Sequence, residues 1–172
     1  ADDFDSFALA AAGLCKLGPL TEHGVTSAEV AAVVEEAIAR CERPDIRAYC
    51  AGQATLFHSF SGRIDLCRSY FELGLDNARE TGDDRTLISA IGNAYVSLNH
   101  PDDWPWRAEL ASEMLMLAER VDDDDARCEA LHLHFASQIE FCDPLLRSTF
   151  GRQEALAASL RSAPRRWMAG YQ

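Results

Sequence analysis

The sequence is short of positive charge. Of 172 residues, 16 are Lys or Arg against 28 Asp or Glu, a net charge of -12. A surface so acidic repels nucleic acid and anionic lipid on average, so direct nucleic-acid contact is not expected. No apolar run is long enough to span a bilayer, Ala8 to Leu14 being far too short, and the start, Ala1-Asp2-Asp3-Phe4-Asp5, is acidic where a secretory signal is basic. No membrane association is expected. Six cysteines, Cys15, Cys41, Cys50, Cys67, Cys128 and Cys142, are scattered without a CxxC pair, so they read as reduced, buried thiols of a cytoplasmic protein. The chain lacks a GxxxxGK[ST] loop, and it lacks an initiator Met, which suggests a piece of something longer.

Alternation of period two is almost absent, while helical periodicity is nearly continuous. Helices are predicted near residues 4–18, 27–42, 45–60, 64–81, 84–99, 105–121, 125–141 and 145–162, with Ser27 as an N-cap, Pro44 and Pro144 at starts, and Gly62 and Gly82 at stops. The fold class is therefore all-α.

The helices recur in pairs with a period of about 40 residues, within the range of helical repeats. That shift superposes Asp45, Arg85, Asp125 and Arg165, then Ala48, Ile88, Cys128 and Met168 in first helices, and Ile38, Ala78, Ala118 and Ala158 in second helices. One helix hairpin cannot bury both its faces, so stacking on the next hairpin is required. A single helical-repeat domain over 1–172 is expected, with antiparallel hairpins at 4–42, 45–81, 84–121 and 125–162 and a further repeat starting at 164–172. Gly52 and Gly92 share one repeat position, where a missing Cβ would let paired helices approach; His132 stands there in the third repeat.

Ile88, Ile91, Gly92 and Tyr95, with Ala111, Leu115 and Ala118, match the large-large-Gly-aromatic and small-large-small spacings of tetratricopeptide (TPR) first and second helices. From about Asp45 to Tyr171 the chain resembles the helical-repeat region of large bacterial ATP-dependent transcriptional regulators, of the LuxR type or fused to nucleotide cyclases. The resemblance is carried by Ala78-Arg79-Glu80-Thr81-Gly82-Asp83-Asp84-Arg85-Thr86-Leu87, Asn99-His100-Pro101-Asp102-Asp103, and Arg165-Arg166-Trp167 before Ala169-Gly170-Tyr171. It implies a TPR-like α-α superhelix that senses a signal or holds a partner, with the ATPase and output modules elsewhere. The chain departs from the usual TPR pattern in its period, longer than about 34 residues, and in lacking a Trp early in each first helix.

The most chemically suggestive stretch is Val121-Asp122-Asp123-Asp124-Asp125-Ala126-Arg127-Cys128-Glu129-Ala130-Leu131-His132-Leu133-His134-Phe135. The acid run falls at a hairpin junction, where Asp124 or Asp125 can cap the next helix; a calcium loop would need alternating ligands and a Gly at its sixth position. Cys128 and His132 share a helical face, but two ligands do not make a zinc site, and Cys128 is in phase with core positions. His58 beside Ser59 and Ser61 reads as a helix end, Glu35 and Glu36 as a solvated face, and Trp104-Pro105-Trp106 as anchors of a helix start. Metal, cofactor and catalytic constellation are all lacking.

The expected function is a protein-interaction or regulatory scaffold for a protein or peptide partner. First helices would line its inner face, presenting Tyr49, Gln53, Asn93, Ser97, Glu129 and Leu133. The alternatives are a small-ligand-binding or enzymatic helical domain, and a homodimer through the apolar C-terminal end.

Overall fold

The computed structural model describes residues 3–17, 27–95, 97–98 and 100–160, which are helical with no strand among them. The helices are α1 (Phe4–Leu17), α2 (Ser27–Arg40), α3 (Pro44–Phe60), α4 (Ile64–Thr81), α5 (Asp84–Tyr95), α6 (Trp104–Arg120), α7 (Asp124–Glu140) and α8 (Leu146–Ser159). The all-α class stands as expected. No helix among the described residues is long and apolar enough to cross a membrane. The basic cluster of Arg161, Arg165 and Arg166, the repeat start at 164–172 with its dimerising end, and the Ser27 side chain lie outside the described residues.

Among the described residues, α5 stops short of its predicted end. The Ser97 N–H donates to the Ala94 carbonyl at 2.9 Å, tightening the last turn, and Pro101 has no N–H with which to continue a helix. A 3-10 turn, Pro101–Asp103, leads into α6, whose first turn holds Trp104-Pro105-Trp106.

The helices form two compact units, Ala1–Ser97 and Leu98–Gln172. In the first, α3 is central and packs on α1, α2, α4 and α5. The sequence permits this because α1 buries Ala8, Ala11, Ala12 and Cys15, small residues at helical spacing that let backbones come close. They meet Val30, Val34 and Ile38 of α2 and Cys50, Ala54 and Phe57 of α3 in one core. Against α4 the close approach is at Gly74, where a Cβ would stand 3.5 Å from Ala51 Cβ and 3.6 Å from the Ala48 carbonyl. In the second unit α7 packs on both α6 and α8.

Left-handed residues fall at Gly62, Gly82, Asp122 and Cys142, with φ of 71°, 65°, 52° and 52°, on positions that are multiples of twenty residues apart. Each lies just beyond a helix end, where a left-handed residue lets the chain turn back. The forty-residue recurrence in side-chain type therefore has a counterpart in the backbone.

The acid run resolves into structural roles. Asp123, not Asp124 or Asp125, is the N-cap of α7: its Oδ1 accepts from the N–H groups of Asp125 and Ala126, each at 3.0 Å. Asp123 has extended backbone (φ -115°, ψ 105°), as an N-cap requires, while Asp124 is already the first helical residue. Asp83, forty residues earlier, does the same for α5, accepting from the Thr86 N–H at 2.8 Å. Asp122 and Asp124 both hold the Arg127 guanidinium. Asp123→Ala is expected to lower unfolding free energy by about 1 kcal/mol, read from the urea midpoint, and Asp125→Ala by less than half as much; equal losses would contradict the assignment of the cap.

Candidate functional site

On α3, Asp45, Tyr49 and Gln53 follow one another at intervals of four, and on α5 so do Arg85, Ser89 and Asn93, with Ser97 beyond the helix end. Residues four apart share a helix face, so each helix carries one polar stripe. Because α3 and α5 pack together, the stripes border a cleft of about 330 Å³, closed on its third side by Leu9 of α1. Asp45, Ile46, Ala48 and Tyr49 line it from α3, and Arg85, Thr86, Ser89, Ala90 and Asn93 from α5.

One end of the cleft carries charge. Arg43 grips Asp45 through two bonds, Nε to Oδ1 at 3.1 Å and Nη2 to Oδ2 at 2.6 Å, and this pairing holds the Asp45 carboxyl below the usual carboxylate range. Arg85 lines the same cleft, so its formal charges are one acid and one base. Thr86 is occupied at its rim by Asp83, its hydroxyl donating at 2.7 Å.

The predicted inner-face residues divide. Tyr49 and Asn93 line the cleft together, Tyr49 also packing against the core of the first unit. Gln53 and Ser97, at 5% and 4% exposure, are buried rather than presented, and the Ser97 hydroxyl donates to the Asn93 carbonyl at 3.3 Å. Glu129, half-buried, and Leu133, buried, stand one turn apart on α7 in the second unit. Repeat phase did not assign the other lining residues, Leu9, Asp45, Ile46, Ala48, Arg85, Thr86, Ser89 and Ala90, to this face. Leu9 had a signal, being a large residue at an exposed place on an alanine-rich helix, 48% accessible.

At Gly52 two helices come close: a Cβ there would stand 2.7 Å from Nδ2 of Asn93 on α5, and the Gly52 backbone N lies 3.7 Å from the Cβ position of Gly74 on α4. A mid-helix Gly costs about 1 kcal/mol relative to Ala, and here that cost accommodates one carboxamide at the cleft wall.

His58 is buried, stacks on Tyr70 with centroids 5.4 Å apart and planes at 8°, and is pushed below its ordinary range mainly by burial. Tyr70, pushed up to about 12 by burial, donates to Glu35. None of the six cysteines forms a disulfide, and five of them are buried; burial raises Cys15 to about 11 and Cys50 to about 12, which leaves these two unreactive near neutrality. Among the described residues no three His, Cys, Asp or Glu side chains converge as a metal would require. No protein-family model matches the chain, and no curated protein matches it.

Proposed function

We propose that this chain is a protein-interaction scaffold, a TPR-like stack of helix hairpins that serves a cytoplasmic bacterial signalling or transcriptional regulator by holding a protein or peptide segment. The observation that supports it most is the cleft itself. Its walls are the polar stripes of α3 and α5, which occupy matching positions one forty-residue period apart, with an apolar contact from α1. Mixed lining of this kind, an aromatic residue and adaptable polar groups around a small apolar floor, suits recognition of a chain segment.

The reading is tested by placing a photo-crosslinking benzoylphenylalanine at Ser89, in the cleft, or at Ser69, exposed on α4, in cells carrying the native gene. A distinct polypeptide captured at Ser89 and not at Ser69 supports it, and indistinguishable capture at both removes it. The volume also lies at the low end of small-ligand pockets, about 300–1,000 Å³. A thermal melt against metabolites and metal ions separates the two readings, since a small ligand that binds only the folded chain raises the midpoint on its own.

A further inference from the structure

We propose that the exposed apolar joint between α7 and α8, centred on Phe141, is where two copies of this chain meet as a weak dimer. The joint belongs to the second unit and lends no residue to the α3–α5 cleft, so the dimer and the scaffold reading stand or fall separately.

The chain builds one turn twice. At the end of α3 the N–H groups of Ser61, Gly62 and Arg63 donate to the carbonyls of Phe57, Ser59 and His58 at 3.1, 3.2 and 2.9 Å. Two repeat periods later those of Phe141, Cys142 and Asp143 donate to Ser137, Ile139 and Gln138 at 3.2, 3.1 and 2.9 Å. The middle residue is left-handed in both, Gly62 at φ 71° and Cys142 at φ 52°. The side chains differ. Where the first turn has Ser59, Ser61 and Asp65, the second has Ile139, Phe141 and Leu145, which are 52%, 51% and 63% exposed. A polar set closes this turn equally well, so the backbone does not require the apolar one. Among its described residues the first turn exposes one large apolar side chain, Ile64, as ordinary surfaces do. Cys142, also exposed, stands where glycine is the favoured residue.

Trp104, at the start of α6, extends the patch, its ring meeting Phe141 edge-on with centroids 6.4 Å apart. Half of a large side chain is roughly 100 Å², so Ile139, Phe141 and Leu145 together expose about 300 Å², a patch of the size that marks interaction sites on monomers. Covered by its own copy, with a polar rim in the usual proportion, the patch buries about 1,000–1,200 Å² in total, the lower limit of a specific interface. The rim suits a second copy because it carries both signs. Arg147, exposed on α8, makes no ion pair among the described residues. Asp102, in the turn before Trp104, is 92% exposed and has an imidazole, His100, beside it rather than a permanent cation. A two-fold axis lets each face its opposite in the partner copy. The net charge of -12 opposes the other common cover for an apolar patch, an anionic bilayer.

Sedimentation velocity of the whole chain from about 1 to 500 μM is expected to show monomer giving way to dimer, with a dissociation constant of about 10–100 μM, as an interface of this size gives. Transplanting the polar turn, Ile139→Ser with Phe141→Ser and Leu145→Asp, should weaken association at least about tenfold. Helical content and melting midpoint should stay close to wild type, because Ser59, Ser61 and Asp65 occupy the same places in the α3–α4 turn. Met116→Ser, at a 65% exposed position of α6, should leave association unchanged. Alkylation of Cys142, exposed where the other five thiols are buried, should slow in proportion to the dimer fraction. If the triple variant fails to fold, Leu145→Asp alone keeps the test decisive, since it sets like charges at the contact and should weaken association about tenfold. A chain still monomeric at the highest concentration overturns the inference. A dimer that survives the transplanted turn, or one in which Cys142 reacts as fast as in the monomer, has its interface elsewhere and overturns it too. If monomeric chain instead floats with phosphatidylcholine vesicles and the transplanted variant does not, the patch is a lipid contact and the dimer falls.

Discussion

Arg107→Met is expected to lower the unfolding free energy by about 3 kcal/mol or more at pH 7, visible as a large fall in the urea midpoint. Arg107, in the first turn of α6, donates from Nη1 to Glu140 Oε1, at the last turn of α7, at 2.5 Å. Their side chains are only 10% and 16% exposed, and Glu140 Oε2 has no hydrogen-bond partner among the described residues. Burial raises the Glu140 carboxyl above its ordinary range, and Arg107 opposes that rise. Removing the guanidinium would strand a desolvated carboxylate, a far larger penalty than the net value of the pair.

The pH dependence of this effect has a definite sign. A carboxyl whose folded pKa is raised weakens the fold above that pKa, and the weakening disappears as pH falls and the group takes up its proton. The deficit of Arg107→Met should therefore narrow on acidification from pH 7 toward the ordinary glutamate range. Arg107→Met combined with Glu140→Leu should recover part of the loss even at pH 7, because the Glu140 carboxylate is removed together with the guanidinium that compensates it. A deficit that is constant with pH and unchanged in the double variant would show that Arg107 acts through packing alone.

Periodicity located the eight α-helices of the described residues because each buries a stripe at helical spacing, and that spacing is written in the order of the residues. Local chemistry reached nearly as far at the joints. Gly62 and Gly82 occupy left-handed positions where glycine is favoured, but Asp122 and Cys142 do the same without any composition signal. The cap of α7 was misplaced within the acid run because four consecutive Asp residues are alike in sequence, and only backbone conformation separates Asp123 from its neighbours. The site was less legible. Repeat phase brought Tyr49 and Asn93 to one face, yet Gln53 and Ser97, in the same phase, are buried. Which member of a stripe reaches the surface depends on what packs beside it, and Gly52 shows the same dependence, since the atoms a Cβ there would meet belong to Asn93 of α5.

Gln153→Met is expected to raise stability, by about 1–3 kcal/mol, the desolvation cost of a buried polar group without a partner. Gln153 lies on α8 with Thr149 and Ala157 on the same face, all three buried; Gln153 itself has no exposure, and among the described residues neither Nε2 nor Oε1 has a hydrogen-bond partner. Helix α7, packed against α8, is polar in the same way: the Gln138 Oε1 and His134 Nδ1 atoms are buried without hydrogen-bond partners among the described residues. Gln138 spends its Nε2 on Asp143 at a long 3.5 Å, and burial holds the His134 imidazole below its ordinary range, so it is neutral near pH 7. Methionine keeps the unbranched length of glutamine and adapts to irregular space, so the change removes two polar atoms with little change in volume. Denaturant unfolding at pH 7 should show a higher midpoint with an unchanged slope. A lower midpoint would mean that the amide is hydrogen-bonded in solution and contributes to the fold. Gln153→Glu separates the cases further: a charge at a site with no exposure should cost more than any neutral replacement, and a mild effect would show that water reaches α8 at this position.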